Sequence, residues 1–520
     1  MILYKILKRS RVVLSLLVMA GIAAYFSFVR AEAMGFLTPL LKLQFVPALL
    51  GVFAGALVSC VALLLLTLLF GRIYCSLLCP MGTLQDVSIR VAHLFKSKKN
   101  KQFRYSRSHS IVRYSILAIV AACWLVGFSL PLLALDPYSH FGRFSHHLFG
   151  PIVLWLNNRL SYIAPDTFYY VGTSTGPFLM YLSLGFLLFV ILGLSAFRGR
   201  LFCNTICPVG SSIGLISKYS AFRLAVDKER CNHCGVCGKK CKAECIDTRD
   251  GSVDHSRCVA CLNCTLACSQ QAMRYTFSWR KKSKEESIAP FATDTKGGEE
   301  RRRNARRAFL ASTGGLVGAA ALYRVAGGKL FACAHTKNPI APPGALSYVH
   351  LKEYCTACQA CVSVCPSRII RPAFSGYGMD GIMLPHLDYS QGFCRYDCNL
   401  CSQVCPSQAL KRSTIEEKKL IQMGKARFFL GRCVVNRDQT DCGACDEHCP
   451  TKAVHMEPRG DKGLRYPVVD QEYCIGCGAC EYICPATPKA IVVQAQAIHQ
   501  TALPPIVEEQ EQIMVDDFGF

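Results

Sequence analysis

Residues 231 to 241 read CNHCGVCGKKC and residues 258 to 268 read CVACLNCTLAC, so the spacing Cys-x2-Cys-x2-Cys-x3-Cys occurs twice in quick succession. Three thiols packed this closely can share one centre only if the backbone coils around it. A cubane [4Fe-4S] cluster takes three such thiolates together with a fourth from a distance. In a two-cluster unit the fourth thiolate of each run ligates the neighbouring cube, which ties both loops into one small fold. The spacing therefore assigns Cys231, Cys234, Cys237 and Cys268 to one cluster, and Cys258, Cys261, Cys264 and Cys241 to the other. Cys245 is a nearby alternative to Cys241, and Lys242 and Ser269 stand where a proline usually follows the fourth cysteine.

The pattern returns four times further along. CTACQACVSVCP begins at Cys355, CRYDCNLCSQVCP at Cys394 and CIGCGACEYICP at Cys474, while Cys433 precedes CGACDEHCP, which begins at Cys442. The four runs close on Cys-Pro at Cys365, Cys405, Cys449 and Cys484. The ligands Cys355, Cys358, Cys361, Cys365, Cys394, Cys398, Cys401, Cys405, Cys433, Cys442, Cys445, Cys449, Cys474, Cys477, Cys480 and Cys484 imply four more [4Fe-4S] clusters, six in all. Six in one chain argue for a conducting wire. The rival uses of 32 cysteines fit less well: the repeated spacing speaks against disulfides, and zinc ligands come as separated pairs.

The clusters must be reconciled with a chain that is 51% hydrophobic and carries a formal charge of +24 over 520 residues. Four apolar stretches, at 12–29, 46–70, 111–133 and 177–197, reach the ~20 residues that cross a bilayer core. Lys and Arg resist translocation. Lys5, Lys8, Arg9 and Arg11 before the first stretch, and Lys96, Lys98, Lys99, Lys101, Arg104 and Arg107 after the second, set those segments on the cytoplasmic side. The alternate loops, with Lys42 in one and Arg143 and Arg159 in the other, are poorer in basic residues and face outward. Much of the charge is thus topology and calls for no nucleic-acid partner. No histidine lies within the four stretches and no Cys-x-x-Cys-His occurs, which argues against haem held in the bilayer or attached to the chain.

A repeat marks this half. GRIYCSLLCPMG (71–82) and GRLFCNTICPVG (199–210) share Gly, Arg, both Cys, Pro and the last Gly, and each follows a pair of spans. Two such units suggest a parallel repeat about an axis along the membrane normal. Cys75 and Cys79, like Cys203 and Cys207, are one helical turn apart and belong on one helix face. If the axis joins the units, the four thiols could hold a metal or an extra cluster, or work as a redox dithiol; four buried, inert cysteines are the plain alternative. In the outward loop LDPYSHFGRFSHH carries Asp136, Tyr138, His140, His146 and His147, groups able to take protons from a quinol or simply to cap two helices.

Residues 301 to 320, RRRNARRAFLASTGGLVGAA, have the form of a twin-arginine export signal placed inside the chain, and ACA at 332–334 has the form of a cleavage site. The resulting division is a four-span membrane domain at 1–217, a two-cluster domain at 218–280, a linker with the signal or an anchor helix at 281–345, a four-cluster domain at 346–498 and an acidic tail at 499–520.

On these motifs, residues 1 to about 275 resemble NapH-type membrane quinol dehydrogenase components of periplasmic nitrate reductase systems, and residues 301 to about 495 resemble NapG-type exported ferredoxins. The resemblance implies an α-helical membrane domain of four spans, with room for a fifth at 308–328, and two α+β ferredoxin-like domains. The first of these would be cytoplasmic and the second periplasmic, on a bacterial inner membrane. It also implies that runs one and four share clusters, as do runs two and three. On that pairing Cys484 joins Cys355, Cys358 and Cys361; Cys365 joins Cys474, Cys477 and Cys480; Cys449 joins Cys394, Cys398 and Cys401; and Cys405 joins Cys433, Cys442 and Cys445. Pairing of neighbouring runs would use the same sixteen thiolates.

The function implied is oxidation of menaquinol or ubiquinol, with Asp136, His140 and the four Cys-x-x-x-Cys-Pro cysteines at the reacting end and a periplasmic terminal reductase or electron carrier as partner. No molybdopterin or flavin fingerprint occurs, so the terminal substrate belongs to that partner. Two other readings remain open: a maturation factor that reduces copper for a metalloenzyme, and electron exchange between a cytoplasmic ferredoxin and the quinone pool.

Overall fold

The computed structural model describes residues 2–27, 35–54, 57–97, 101–125, 127–168, 170–171, 178–277, 315, 318, 339–374, 376–378, 381–459 and 463–505. The arginine-rich start of the export signal (301–314), Cys333 with the expected cleavage site, and 506–520 lie outside the described residues. So does the expected fifth span, apart from Gly315 and Gly318.

Among the described residues, two helices are long and apolar enough to cross a membrane: Ile2–Ser27 and the stretch Met180–Arg198. The first begins well ahead of its apolar run and takes Lys5, Lys8, Arg9 and Arg11 into its opening turns. The other two expected spans are interrupted, for local reasons. The stretch 46–70 comprises Phe45–Leu50, which ends at Gly51, a 3-10 turn at Gly51–Ala54 and Leu57–Phe70, whose 14 residues measure about 21 Å. Gly127, at φ +85, follows Ser110–Leu125 before Pro131 opens Leu130–Leu135. Sixteen residues give about 24 Å, against ~30 Å of hydrocarbon core.

The two Cys-x-x-x-Cys-Pro segments fold alike. Tyr74–Leu77 and Leu201–Thr205 are single turns; Pro80–Phe95 and Pro208–Ser217 then start on their prolines, whose missing N–H costs nothing at a helix start. Proline also drives the preceding residue out of the helical region, so Cys79 and Cys207 are extended, with ψ 113 and 119. Each cysteine pair therefore straddles a break and does not share one helix face, contrary to the spacing argument.

The first cluster domain pairs Phe222–Val226 with Met273–Phe277, antiparallel from Phe222↔Phe277 to Val226↔Met273, around a small hairpin of Ile246–Asp247 and Ser252–Val253. The second contains two such units. Their hairpins are Ile370–Pro372 with Pro385–Leu387 and Val454–Pro458 with Arg465–Val469, and the long pair Ile421–Phe428 with Ile491–Thr501 braces the second unit.

Both domains meet the first helix, at opposite ends. Near its start, Tyr275 N–H donates to the Tyr4 hydroxyl at 3.2 Å. Near its finish, Phe26 packs edge-on to Tyr138, ring centroids 6.2 Å apart, in the helix Pro137–Phe144 on which the second cluster domain sits. From Tyr4 to Phe26 the helix rises about 33 Å.

Gly476, at φ +71, has backbone atoms of Gly424 within 2.7 Å of where a Cβ would be. Gly476→Ala should destabilise the second cluster domain by at least about 2 kcal/mol, whereas Gly431→Ala, which meets nothing within 4 Å, should stay within about 0.5 kcal/mol. Loss of visible cluster absorbance on heating reads both.

Candidate iron–sulfur and redox sites

The runs Cys-x2-Cys-x2-Cys share one backbone conformation. In the runs starting at Cys231, Cys258, Cys355 and Cys474, the residues on either side of the second cysteine are left-handed: His233 and Gly235, Ala260 and Leu262, Ala357 and Gln359, Gly476 and Gly478. Such a turn aims successive N–H groups into one concavity, the nest in which iron–sulfur sites are commonly held. The strain of a left-handed alanine, leucine or glutamine, about 1 kcal/mol or more each, persists because the ligand loop requires it. Five of the distant cysteines share a second turn, with the third residue beyond them left-handed: Glu244, Gln271, Arg368, Gln408 and Lys452.

Thiols gather accordingly. Cys231, Cys234, Cys237 and Cys268 line one cavity, as the spacing predicts. Around Cys258, Cys261 and Cys264 there are two further thiols: Cys241 lies in electrostatic reach of Cys264, and its Sγ is 3.5 Å from that of Cys245. Cys241 has the distant-ligand turn at Glu244, so it matches the other fourth ligands and Cys245 is a fifth thiol beside them.

In the second domain neighbouring runs pair, which corrects the pairing implied by the resemblance. Cys355, Cys358 and Cys361 share a cavity with Cys405; Cys394, Cys398 and Cys401 with Cys365; and Cys433, Cys442 and Cys445 with Cys484. Cys449 completes the set of Cys474, Cys477 and Cys480. The reason is local closure: each hairpin, at 370–387 and 454–469, turns the chain back so that the next run lands beside the last, and short loops close at least entropic cost. The two units join where Cys394 N–H donates to Cys477 O at 2.9 Å and the Tyr389 hydroxyl to Gly476 O at 2.6 Å. The quartets of Cys355, Cys394, Cys474 and Cys433 thus follow one another in that order.

Four thiolates per cavity, with N–H groups turned toward sulfur, are the donor set of a [4Fe-4S] cluster. Ala357 N–H meets Cys355 Sγ at 3.3 Å, and Leu410 and Ala426 N–H meet Cys405 and Cys474 Sγ at 3.4 Å each. Among the described residues no three His, Cys, Asp or Glu side chains converge tightly enough for one mononuclear ion.

In the membrane half Cys75, Cys79, Cys203 and Cys207 are brought together, all buried. The repeat is cross-braced: Arg72 donates to Cys203 O at 3.0 Å and Arg200 to Cys75 O at 2.6 Å, so each unit's arginine holds the other unit's motif. The motif's last glycine is needed for this fit, since a Cβ on Gly82 or Gly210 would lie 2.2 or 2.1 Å from Cys75 O or Cys203 O. Asp86 takes Arg200 in two contacts, at 2.9 Å to Oδ1 and 2.7 Å to Oδ2, and also pairs with Lys242. Burial would raise its pKa, but these two cations hold it well below the usual carboxylate range. Lys242 is the residue found in place of proline, so the departure noted in the sequence is a link between the first cluster domain and the membrane half. Arg72, Arg200 and Asp86 escaped the sequence reading as site residues; the duplicated Gly-Arg of the repeat was the signal for the two arginines, and Asp86 had none.

Asp136 and His140 sit at the other end of the first helix. Asp136 caps Pro137–Phe144, accepting from Tyr138 N–H at 3.4 Å, Ser139 N–H at 3.1 Å and the Ser139 hydroxyl at 2.5 Å. His140 Nε2 is 2.6 Å from Ala134 O. A carbonyl only accepts, so Nε2 carries the proton; Nδ1 keeps a lone pair and, among the described residues, no partner. Burial, with Arg143 adding to it, lowers the His140 pKa to about 3. Burial raises that of Asp136, against the pull of Ser139 and Arg143. Arg143, which the sequence marked only as a loop charge, donates from Nε to Ala357 O at 3.1 Å and from Nη2 to Leu133 O at 2.8 Å. Gly142 packs so close that a Cβ would lie 2.6 Å from Cys358 O. The helix that holds Asp136 and His140 therefore touches the first ligand loop of the second domain.

The pairing has a direct test. Cys365→Ser and Cys394→Ser should each remove one cluster, and the double variant should lose no more iron and acid-labile sulfide than either single variant. Loss of two clusters' worth in the double variant would restore the pairing of the first run with the fourth.

Comparison with known proteins agrees with this picture. A 4Fe-4S binding domain model matches residues 52–102 and again 179–227, a 4Fe-4S dicluster domain matches 440–487, and a further 4Fe-4S binding domain matches 348–371. The ferredoxin-type protein NapF of Escherichia coli K12 is 25% identical over 162 residues, 31% of this chain and 87% of that protein. The YccM electron transport protein of the same strain is 27% identical over 231 residues, 44% of this chain and 57% of that protein. The ferredoxin-type protein NapG, also of that strain, is 30% identical over 200 residues, covering 37% of this chain and 86% of its own length. No solved structure matches the chain. With its cysteine runs folded as ligand loops and 86% of the length of NapG aligned to it, this iron–sulfur electron-transfer chain belongs to the NapG family of ferredoxin-type proteins.

Proposed function

We propose that the chain is a four-span membrane quinol dehydrogenase component that oxidises menaquinol or ubiquinol at the outer membrane edge and delivers electrons to a periplasmic terminal reductase or electron carrier. The observation that carries this reading is the contact between Arg143 Nε and Ala357 O, which sets a helix bearing a buried carboxyl and a buried imidazole against the first ligand loop of the four-cluster domain. The two cluster domains lie at opposite ends of a helix rising about 33 Å, which suits a cytoplasmic first domain and a periplasmic second one. Leu57–Phe70 and Ser110–Leu125 would serve as the two short spans, with the bilayer thinned or the flanking helices completing the crossing.

When bound, each [4Fe-4S] cluster accepts and releases one electron. The protein's own task is the two protons of the quinol. His140 Nδ1 is a buried acceptor with its lone pair unused, and a quinol hydroxyl placed against it would deliver a proton there. With its pKa lowered to about 3, His140 passes that proton on and does not store it. Asp136, shifted the other way by burial, holds a proton more readily than an exposed carboxylate does. Arg143 positions both groups against the ligand loop without meeting the quinol.

A second reading has its own observation. Cys234, in the cavity lined by Cys231, Cys237 and Cys268, is exposed, so a soluble cytoplasmic ferredoxin could supply electrons there instead.

The test is anaerobic mixing of the cluster-loaded protein in liposomes with menaquinol, followed by electron paramagnetic resonance. Reduced-cluster signals are expected. His140→Ala should slow their appearance by about 10²- to 10⁴-fold without changing reduction by dithionite. Asp136→Asn keeps the helix cap, so it should slow the reaction with little change in thermal stability. Clusters that stay oxidised with menaquinol but are reduced by ferredoxin would replace the first reading by the second.

A further inference from the structure

Filling six quartets still leaves four buried thiols that stand together. Cys75, Cys79, Cys203 and Cys207 are each less than 5% exposed, and Cys207 is within electrostatic reach of the other three. Their surroundings are rich in buried positive charge. Arg72 and Arg200 are both 0% exposed, and Lys242 is buried beside them. Asp86 serves Arg200 and Lys242. Arg72 donates to Asn204 Oδ1 at 2.8 Å, Ser256 O at 3.0 Å and Cys203 O at 3.0 Å, and points Nη2 at Cys75 Sγ at 3.9 Å; among the described residues no carboxylate pairs with it. A buried cation without an anion is costly, so the site calls for negative charge where the four sulfurs lie.

Gln85 gives the same indication independently. It is 0% exposed, its Oε1 accepts from Cys203 Sγ at 3.3 Å, and its Nε2 is buried with no partner. That arrangement suits a thiol, which has a hydrogen to donate. Were Cys203 a thiolate, the amide would turn over, Nε2–H would donate to sulfur, and the orphaned donor would be satisfied.

We propose that Cys75, Cys79, Cys203 and Cys207 hold a seventh iron–sulfur cluster on the pseudo-twofold axis of the membrane half, with Arg72 and Arg200 as its charge-balancing cations. Four thiolates suit either a [2Fe-2S] or a [4Fe-4S] cluster, and either carries net negative charge. The location gives it a role. Arg200 N–H donates to Lys242 O at 2.9 Å and Asn204 Nδ2 to Ala243 O at 3.0 Å, beside Cys241 and Cys245 of the first domain. On the other side Tyr74, buried and bonded through its hydroxyl to Gln44 Oε1 at 3.0 Å, is in reach of both Cys79 and Asp136. The site therefore stands between the first-domain quartets and the outward-loop residues. It would gain one electron from a reduced cluster or quinol on one side and lose one to an oxidised cluster on the other. The proposal rests on the electron-transfer reading, and it stands whether quinol or ferredoxin is the donor.

Native mass spectrometry of the full-length, anaerobically purified protein counts the clusters without any variant. Seven support the proposal, while six, or a zinc or copper ion in place of the seventh, overturn it. In Cys79→Ser/Cys207→Ser the expected change is loss of about two or four irons with matching sulfide, and the six remaining clusters keep their Mössbauer signals. Unchanged iron in that variant, or thiols that become alkylatable only after reduction, would make the site a dithiol. Arg72→Gln should keep the iron and move the midpoint potential of that one cluster to more negative values, because a cation that favours the reduced form is gone. An unmoved potential would remove Arg72 from the charge balance.

Discussion

Thirteen cysteines of the second cluster domain stand within or against its apolar core, so bonds from sulfur to iron would add to what that core holds. The helices behind the cysteine runs, such as Val236–Lys239, Ala360–Ser363 and Ala444–Glu447, are single turns that could not stand alone in water. The hairpins beside them are two to five residues long. Left-handed residues such as Leu262 and Gln359 add strain to these loops. Metal binding free energy is folding free energy in domains of this kind, so clusters held by these cysteines would also hold the chain in shape.

The membrane half is organised by a different interaction, the exchange of arginines between its two repeats. Arg72 and Arg200 reach across to the opposite cysteine motif, and each also touches the first cluster domain: Arg72 through Ser256 O, Arg200 through Lys242 O from its own backbone. Buried guanidinium groups with several carbonyl partners in fixed geometry leave little freedom for the two halves to slide. Asp86 balances Arg200 and Lys242 together, so the domain interface and the repeat interface share one carboxylate. A buried network of this kind is more a device for specificity than a source of stability, because desolvation consumes much of the attraction.

The second cluster domain is attached by shape as much as by charge. Gly142 lets backbone meet backbone at Cys358, and Arg143 closes the contact at Ala357. A junction of this sort sets the helix Pro137–Phe144 directly against the first ligand loop. Beyond that junction the quartets run in sequence through the Cys394 to Cys477 hydrogen bond, leading away from the membrane half.

Cysteine spacing by itself determined which residues form ligand loops, because three thiols at fixed separation admit few backbone paths. It also determined the duplicated membrane motif, and the apolar runs marked the helices Ile2–Ser27 and Met180–Arg198. Spacing could not determine partners at long range: whether Cys405 joins Cys361 or Cys445 depends on where the intervening hairpins turn the chain, and only the folded structure decides that. It likewise placed Cys75 and Cys79 on one helix, since a count of residues does not register the break that Pro80 imposes. The roles of Asp86, Gln85 and Arg143 belong wholly to tertiary structure. A charge in a sequence has no sign of its burial, and it is burial without water that gives each of these residues its partner.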